Sequence, residues 1–322
     1  MKALVAGESG PVIADVERPA CGPDQVLVRV RACALNRADL AMAAGRRHGA
    51  AGGAGAVIGL EWAGDVIEVG PGVEEWKPGD RVACSGAGGF AEYAATDRGR
   101  VLPVPDGMSY DDAATLPVAL QTMHDAIVTN GRMARGESVL IQGASSGVGL
   151  MALQIAKHQG ASLVIGTSTN AGRRAGLAEF GADLSLDSNN PGWVDEVLAA
   201  TDGRGVDLII DQVSGNVANQ NMQAARILGR IVNVGRLGGM RAEFDFDLHA
   251  LRRIHYIGVT FRTRTPEEVR EITRRLREDL WDAVEAGSFR LPIDRTFPLD
   301  QGAEALEYMG ANRHFGKIVL TV

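Results

Sequence analysis

The residues best placed to do chemistry form one short run, Gly147-Val148-Gly149-Leu150-Met151-Ala152. It reads G-x-G-x-x-A. The run follows an apolar segment, Ser138-Val139-Leu140-Ile141-Gln142, and opens a helical pattern from Val148 to Gln159 that Gly160 closes. A strand, a glycine turn and a helix start in that order make a phosphate-binding loop. Gly147 is expected to permit the tight turn, Gly149 to let backbone approach a pyrophosphate, and Ala152 to allow close helix–sheet packing. The first amides of the helix then face the phosphates.

A bound dinucleotide's ribose is normally gripped by an Asp or Glu about 20 residues further on. Here that place reads Gly166-Thr167-Ser168-Thr169-Asn170, with no acid, and Arg173 and Arg174 follow. Small hydroxyl donors leave room for a 2′-phosphate, and a guanidinium pairs with the dianion. The pattern predicts NADPH rather than NADH.

Other chemistries find less support. Cys21, Cys33 and Cys84 form no Cys-x-x-Cys pair, so a disulfide framework is not expected. The six histidines show no ligand spacing, so no metal site is expected. No Ser/His/Asp nucleophile motif is present. A net charge of −7 and 5% aromatics argue against nucleic acid. No apolar run of about 18 residues is available to span a membrane. The first eight residues lack the apolar stretch of a signal peptide, so a cytoplasmic protein is expected.

The elements that must position the loop come next. The chain has 322 residues, 45% hydrophobic and 23% charged, which fits a folded protein of two domains. Its first hundred residues read as short strands, such as 25–32, 64–70 and 81–84, separated by Gly/Pro turns. The segment from Gly45 to Gly55 (GRRHGAAGGAG) has no periodicity and reads as a mobile loop that could form a lip over a site. After Ser109, strands and helices alternate. Helices are expected over 171–180 and 220–228, and strands over 138–142, 162–166, 206–211, 230–234 and 256–261. Near-continuous apolar strands alternating with helices signal a parallel sheet covered on both faces. A long helix is predicted after Thr265-Pro266-Glu267-Glu268, a capping box with proline in the first turn. The tail returns to strand at Lys317–Val322. An α/β block is thus inserted between two pieces of a β-rich domain.

Several further segments carry a family resemblance. They are Asn36-Arg37-Ala38-Asp39, Gly59-Leu60-Glu61-Trp62-Ala63-Gly64, Leu116-Pro117-Val118-Ala119-Leu120-Gln121-Thr122, Gly143-Ala144-Ser145-Ser146-Gly147-Val148-Gly149 and Asn312-Arg313-His314-Phe315-Gly316-Lys317. With them the whole chain resembles the zinc-free quinone oxidoreductase (zeta-crystallin-like) branch of the medium-chain dehydrogenases/reductases. The resemblance implies an α/β fold, a doubly wound Rossmann sheet inserted into a discontinuous GroES-like β-rich domain. The expected parts are a GroES-like catalytic domain over 1–118, an NADP-binding Rossmann domain over 119–262, and a return to the catalytic domain over 263–322. It also implies a cleft between the domains and a homodimer, for which the strand Tyr256–Phe261 is the expected pairing edge.

Zinc relatives carry Cys at the place of Asn36 and His at that of Leu60, and a four-cysteine lobe after Cys84, where this chain has SGAGGF. Both zinc sites are therefore expected to be missing. By the same resemblance, Thr122 lies by the nicotinamide ribose. Ser145, Ser146, Gly147, Val148 and Gly149 form the phosphate loop, and Thr167, Ser168 and Arg173 meet the 2′-phosphate. Val213 to Gly215 and Gly235 line the cofactor groove. Ser188 stands where relatives often have an adenosine-stacking Tyr, and Asn312 and Lys317 are further candidates near the cofactor. Relatives often have a substrate-lining Tyr where Arg47 and His48 stand here.

Without a metal, a developing oxyanion is stabilised by hydrogen-bond donors alone. That favours electron-poor acceptors. The expected function is NADPH-dependent hydride transfer to a quinone. The alternatives are an enone (2-alkenal) reductase and an NADPH-binding protein with little turnover. Asn36 is the candidate to hold the acceptor oxygen, and Arg47 and His48 are candidate proton donors or anion anchors. Asp39 and Glu61 read as structural. A polyketide-type enoyl reductase domain is not expected, because the chain stops directly after its last strand.

Overall fold

Strand Gln25–Ala34 organises the β-rich part because its residues alternate: Val26, Val28 and Val30 are buried while Arg29 and Arg31 face outward. The computed structural model describes all 322 residues. The strand pairs antiparallel with Glu61–Val69, Tyr93–Asp97 and Lys317–Thr321. Arg81–Ser85 and Val101–Pro103 extend the sheet on one side, and Ile293–Pro298 runs parallel to Lys317–Thr321 on the other. Trp62, Phe90, Leu4, Met42, Leu306 and Leu320 fill the core beneath it. Burying each such side chain contributes roughly 1.5–3 kcal/mol.

The chain divides into two compact units, Met1–Gln121 with Phe261–Val322, and Thr122–Thr260. The second unit holds six parallel strands. Across the sheet they run Leu184–Leu186, Leu163–Thr167, Ser138–Gln142, Val206–Asp211, Ala225–Asn233 and His255–Gly258. In chain order this is 3-2-1-4-5-6, the doubly wound Rossmann order. Its switch point lies between Ser138–Gln142 and Val206–Asp211, whose last residues Gln142 and Asp211 stand side by side.

The capping box at Thr265 forms as the sequence implies: the Glu268 amide donates to Thr265 Oγ1 at 3.3 Å, and Glu268 Oε2 accepts from the Thr265 amide at 2.9 Å. The helix Pro266–Glu285 buries Val269, Ile272, Leu276, Leu280 and Val284 along one stripe.

Four local expectations are revised. The segment Gly45–Gly55 is a small hairpin, Arg47–His48 against Ala51–Gly52, and its glycines supply positive-φ corners. The helix expected over 171–180 is Ala171–Ala175 followed by a 3₁₀ turn, Leu177–Phe180, because Gly176 weakens the helix between them. The helix expected over 220–228 ends at Ala224. The strand begins at Ala225, and a bulge with Leu228 at positive φ absorbs the extra residues. The last parallel strand is shorter than expected, His255–Gly258.

Candidate active site

The glycine loop of the Rossmann unit is held from beneath mostly by neutral donors and acceptors. Ser146 caps the helix Gly147–His158: its Oγ accepts from the Gly149 amide at 3.1 Å and lies 2.9 Å from Gln212 Oε1. The first amides of a helix have no partner within it. Ser146 takes that of Gly149, which leaves those of Gly147 and Val148 for an anion. The tight turn falls at Gly143, with φ +71°, and not at Gly147, which is already helical. Gly149 is needed for contact within the protein: a Cβ there would sit 2.7 Å from the backbone of Ala144.

Thr167 is fully buried and works from below, its Oγ1 donating to Gln142 Oε1 at 2.7 Å and accepting from the Gly143 amide at 3.0 Å. Thr167 thus shapes the loop and is not itself a contact surface for a nucleotide. Ser168 Oγ donates to Ser145 Oγ at 3.0 Å. Asn170 caps the short helix carrying Arg173 by accepting its amide at 3.0 Å. Arg174 is drawn inward, to Ser168 O at 2.9 Å and Asp187 at 3.1 Å. Ser188 is half-buried in the turn after Leu184–Leu186. Val213 follows Asp211, whose Oδ1 accepts the amides of Val213 and Ser214 at 2.8 Å each. Burial pushes the Asp211 carboxyl up against those bonds. Ser214 Oγ donates to Gly235 O at 2.6 Å and fixes the neighbouring loop. Thr122 is half-buried in the helix Pro117–His124.

Sequence reasoning passed over Gln142, Gln212 and Asp211, which tie these loops together. The signal was available for Gln142 and Asp211: each is a polar residue that ends a buried strand directly after three apolar ones, Val139–Ile141 and Leu208–Ile210.

The β-rich unit, Met1–Gln121 with Phe261–Val322, carries a buried charged cluster. Asn36 caps the helix Arg37–Ala43, and its own amide donates to Asp39 Oδ2 at 2.6 Å. Asn36 Nδ2 donates to Glu61 Oε1 at 2.9 Å, and Lys317 Nζ donates to Asn36 Oδ1 at 3.1 Å, to Leu35 O at 2.9 Å and to Glu61 Oε1. Glu61 Oε2 accepts the Val118 amide at 2.8 Å. Glu61 and Asp39 are fully buried and Lys317 nearly so. Burial pushes the Asp39 carboxyl up to about 8, and pushes that of Glu61 up against the pull of the Lys317 ammonium. All three ammonium hydrogens of Lys317 are taken, which removes it from the set of cofactor contacts. Asn312 is an exposed residue at positive φ near that strand's start.

Arg47 is exposed and His48 half-buried on the hairpin. Burial, then the Arg262 guanidinium, hold the His48 imidazole below its ordinary value. His48 is therefore neutral at neutral pH, a hydrogen-bond donor but a weak acid.

A profile for the alcohol dehydrogenase GroES-like domain matches residues 22–106, and one for zinc-binding dehydrogenase matches 147–278. A probable oxidoreductase from Mycobacterium abscessus is 31% identical, with a TM-score of 0.84 over 100% of this chain and 99% of that one. The chain belongs to the medium-chain dehydrogenase/reductase family, whose members are nicotinamide-dependent oxidoreductases. A mycobacterial protein solved in complex with NADPH is 26% identical, with a TM-score of 0.87 and full coverage of both chains. The CurK enoyl reductase is 25% identical, with a TM-score of 0.85 over 99% of this chain and 98% of that one. Among curated relatives, a phenolphthiocerol/phthiocerol polyketide synthase polypeptide of Mycobacterium tuberculosis is 32% identical over 308 residues, 96% of this chain and 14% of that protein. The chain spans only 5% to 14% of the length of such relatives. Where the chain stops therefore says nothing against a polyketide-type reductase, and that expectation is withdrawn.

The zinc that the matched description names does not fit these residues. Asn36 and Leu60 offer no thiolate or imidazole, Glu61 is held by an ammonium, and no three His, Cys, Asp or Glu side chains converge into a metal-holding group. Burial raises the thiols of Cys33 and Cys84, which disfavours the thiolate a metal requires.

Proposed function

We propose that the protein is an NADPH-dependent reductase that passes hydride to an electron-poor acceptor, most simply a quinone, without using a metal. The observation that carries this reading is the nucleotide edge: two free helix amides beside a hydroxyl-and-arginine corner with no acid among Gly166–Asn170, the end of the second strand and the turn after it. A carboxylate there would repel a 2′-phosphate, whereas Ser168 and Arg173 suit it. The Gly147 and Val148 amides would meet the pyrophosphate, with Ser145 and Ser146 shaping the loop. Thr122, Val213 and Gly235 would border the nicotinamide half, Ser188 the adenosine, and Asn312 remains a candidate contact. The cofactor supplies a hydride from the nicotinamide ring.

The chain's own part is to hold the acceptor and absorb charge. Asn36 donates a hydrogen bond to the acceptor oxygen as negative charge grows there. Arg47 and His48 supply further donors from the hairpin. An acceptor with a conjugated carbonyl spreads that charge itself, which is why such modest donors suffice. An enone is the second reading. It is supported by the likeness to CurK and to reductive polyketide synthases.

A cytoplasmic homodimer is part of the proposal. No helix is long and apolar enough to cross a membrane. The edge strand His255–Gly258 leaves one side of its backbone unpaired, with Tyr256 and Phe246 exposed beside it.

The test is NADPH oxidation by chelator-treated protein across quinones, enones and simple ketones. Turnover with conjugated acceptors and none with ketones is expected. Ketone reduction abolished by the chelator, or tight NADPH binding without turnover on any acceptor, would overturn the reading.

A further inference from the structure

The buried cluster in the β-rich unit does more than hold the fold. An ammonium has three donors and no lone pair, so only an acceptor can face it. Lys317 Nζ lies 3.1 Å from the Asn36 side chain, which must therefore turn its oxygen to the lysine. The Glu61 carboxylate is acceptor-only, so the group facing it 2.9 Å away must be the Asn36 nitrogen. The two charged residues thus fix the amide in one of its two flips, which no neutral pair of neighbours would do so firmly. The oxygen of Asn36 faces the Lys317 ammonium on one side and the Asp39 amide of the capping box on the other, which takes both of its lone pairs. One Nδ2 hydrogen is occupied. The other meets only Ala34 O at 3.5 Å, at the limit of a hydrogen bond. Asn36 itself is partly exposed, while both partners are sealed from water.

We infer that Lys317 and Glu61 are positioning residues: they lock the Asn36 amide so that it offers a substrate one hydrogen-bond donor and no acceptor. This selects the class of group that Asn36 can hold. It welcomes a carbonyl oxygen or a developing oxyanion and rejects hydroxyl or ammonium groups that come as donors. The inference rests on the proposed role of Asn36 and adds the reason for its polarity. It also gives Lys317 a task other than touching the cofactor.

The experiment is a double-mutant cycle on the full chain with NADPH and one quinone, reading kcat and KM separately. Asn36→Ala should lower kcat by about 10²-fold, the usual effect of removing an oxyanion donor. Lys317→Met should lower kcat about tenfold or more in the wild-type background, as loss of an orienting partner does. The same change made in Asn36→Ala should lower it no further, because there is no amide left to orient. Lys317→Arg, which also carries only donors, should restore most of the activity lost in Lys317→Met. Lys317→Met alone can fail to fold, since it leaves Glu61 uncompensated. The pair Lys317→Met with Glu61→Gln keeps the cluster neutral and serves as the second variant, expected to show the same kcat loss in wild type and none in Asn36→Ala. Equal losses in both backgrounds would overturn the inference and leave the reading of Asn36 intact. An Asn36→Ala variant with wild-type kcat would overturn that reading as well.

Discussion

The nucleotide edge and the Asn36 cluster solve the same problem, holding polar groups under a binding surface, by opposite means. The nucleotide edge uses neutral partners: Thr167, Gln142, Ser146 and Gln212 exchange hydroxyl and amide hydrogen bonds of 2.7–3.0 Å beneath the loop. The Asn36 cluster uses charge, with Lys317 and Glu61 in contact out of water. Neutral bonds each contribute about 1 kcal/mol and fail gracefully. A buried ion pair adds little net stability while intact, but removing one member strands the other. The first region can be rebuilt for another nucleotide by changing rim residues. The second fixes a single orientation and tolerates little change.

The sharpest way to break that contrast is to remove one charge. Lys317→Met should cost about 3–5 kcal/mol in urea unfolding, and adding Glu61→Gln should recover most of it. A loss near 1 kcal/mol for the single change would place the cluster in the same class as the nucleotide edge.

A smaller effect is expected at the loop. Gly149→Ala pushes a methyl to 2.7 Å from the Ala144 backbone, which cannot swing aside as a side chain would. It should cost about 1–3 kcal/mol of stability. NADPH binding should weaken by about tenfold or more as the Gly147 and Val148 amides shift. Unchanged NADPH affinity in a fluorescence titration would show that the amides do not hold the phosphates.

The smallest effect is at the hairpin. His48 is held below its ordinary value by burial and Arg262. A histidine whose folded value is depressed binds its proton more tightly when unfolded, so it detracts from stability as pH falls below about 6.5. His48→Gln should make the protein less sensitive to acid in that range and leave it unchanged at pH 8. Its ring should titrate by NMR below the usual histidine value; a value above it would restore His48 as a group that carries a transferable proton at neutral pH.

Much of this is legible in the chain. The Gly147–Ala152 motif between an apolar strand and a periodic stretch locates the glycine loop that opens the helix Gly147–His158, and the missing acid after Gly166 marks the corner proposed to take a 2′-phosphate. Local motifs carry such features because the responsible atoms lie within a few residues of one another. What escapes depends on distant partners. Gly143 rather than Gly147 makes the turn, and Gly149 answers to Ala144, since the motif states residue types but not which backbone approaches which. Arg174 turns inward to Asp187, a pairing that two adjacent arginines do not announce. Lys317 reads as a cofactor contact because nothing near it in sequence points to Asn36 and Glu61. The strand from Ala225 escapes because Gln220 to Leu228 is equally compatible with a helix until Val206 pairs with Ala225.

The most direct test of the account compares kcat/KM for NADPH and NADH with one fixed quinone, before and after chelation, in wild type and in Arg173→Ala. The account predicts a preference for NADPH of at least about tenfold, the size of one charge-assisted contact to phosphate. The chelator should leave that preference unchanged, and loss of Arg173 should largely erase it. A preference for NADH, or turnover that disappears with the chelator, would contradict it.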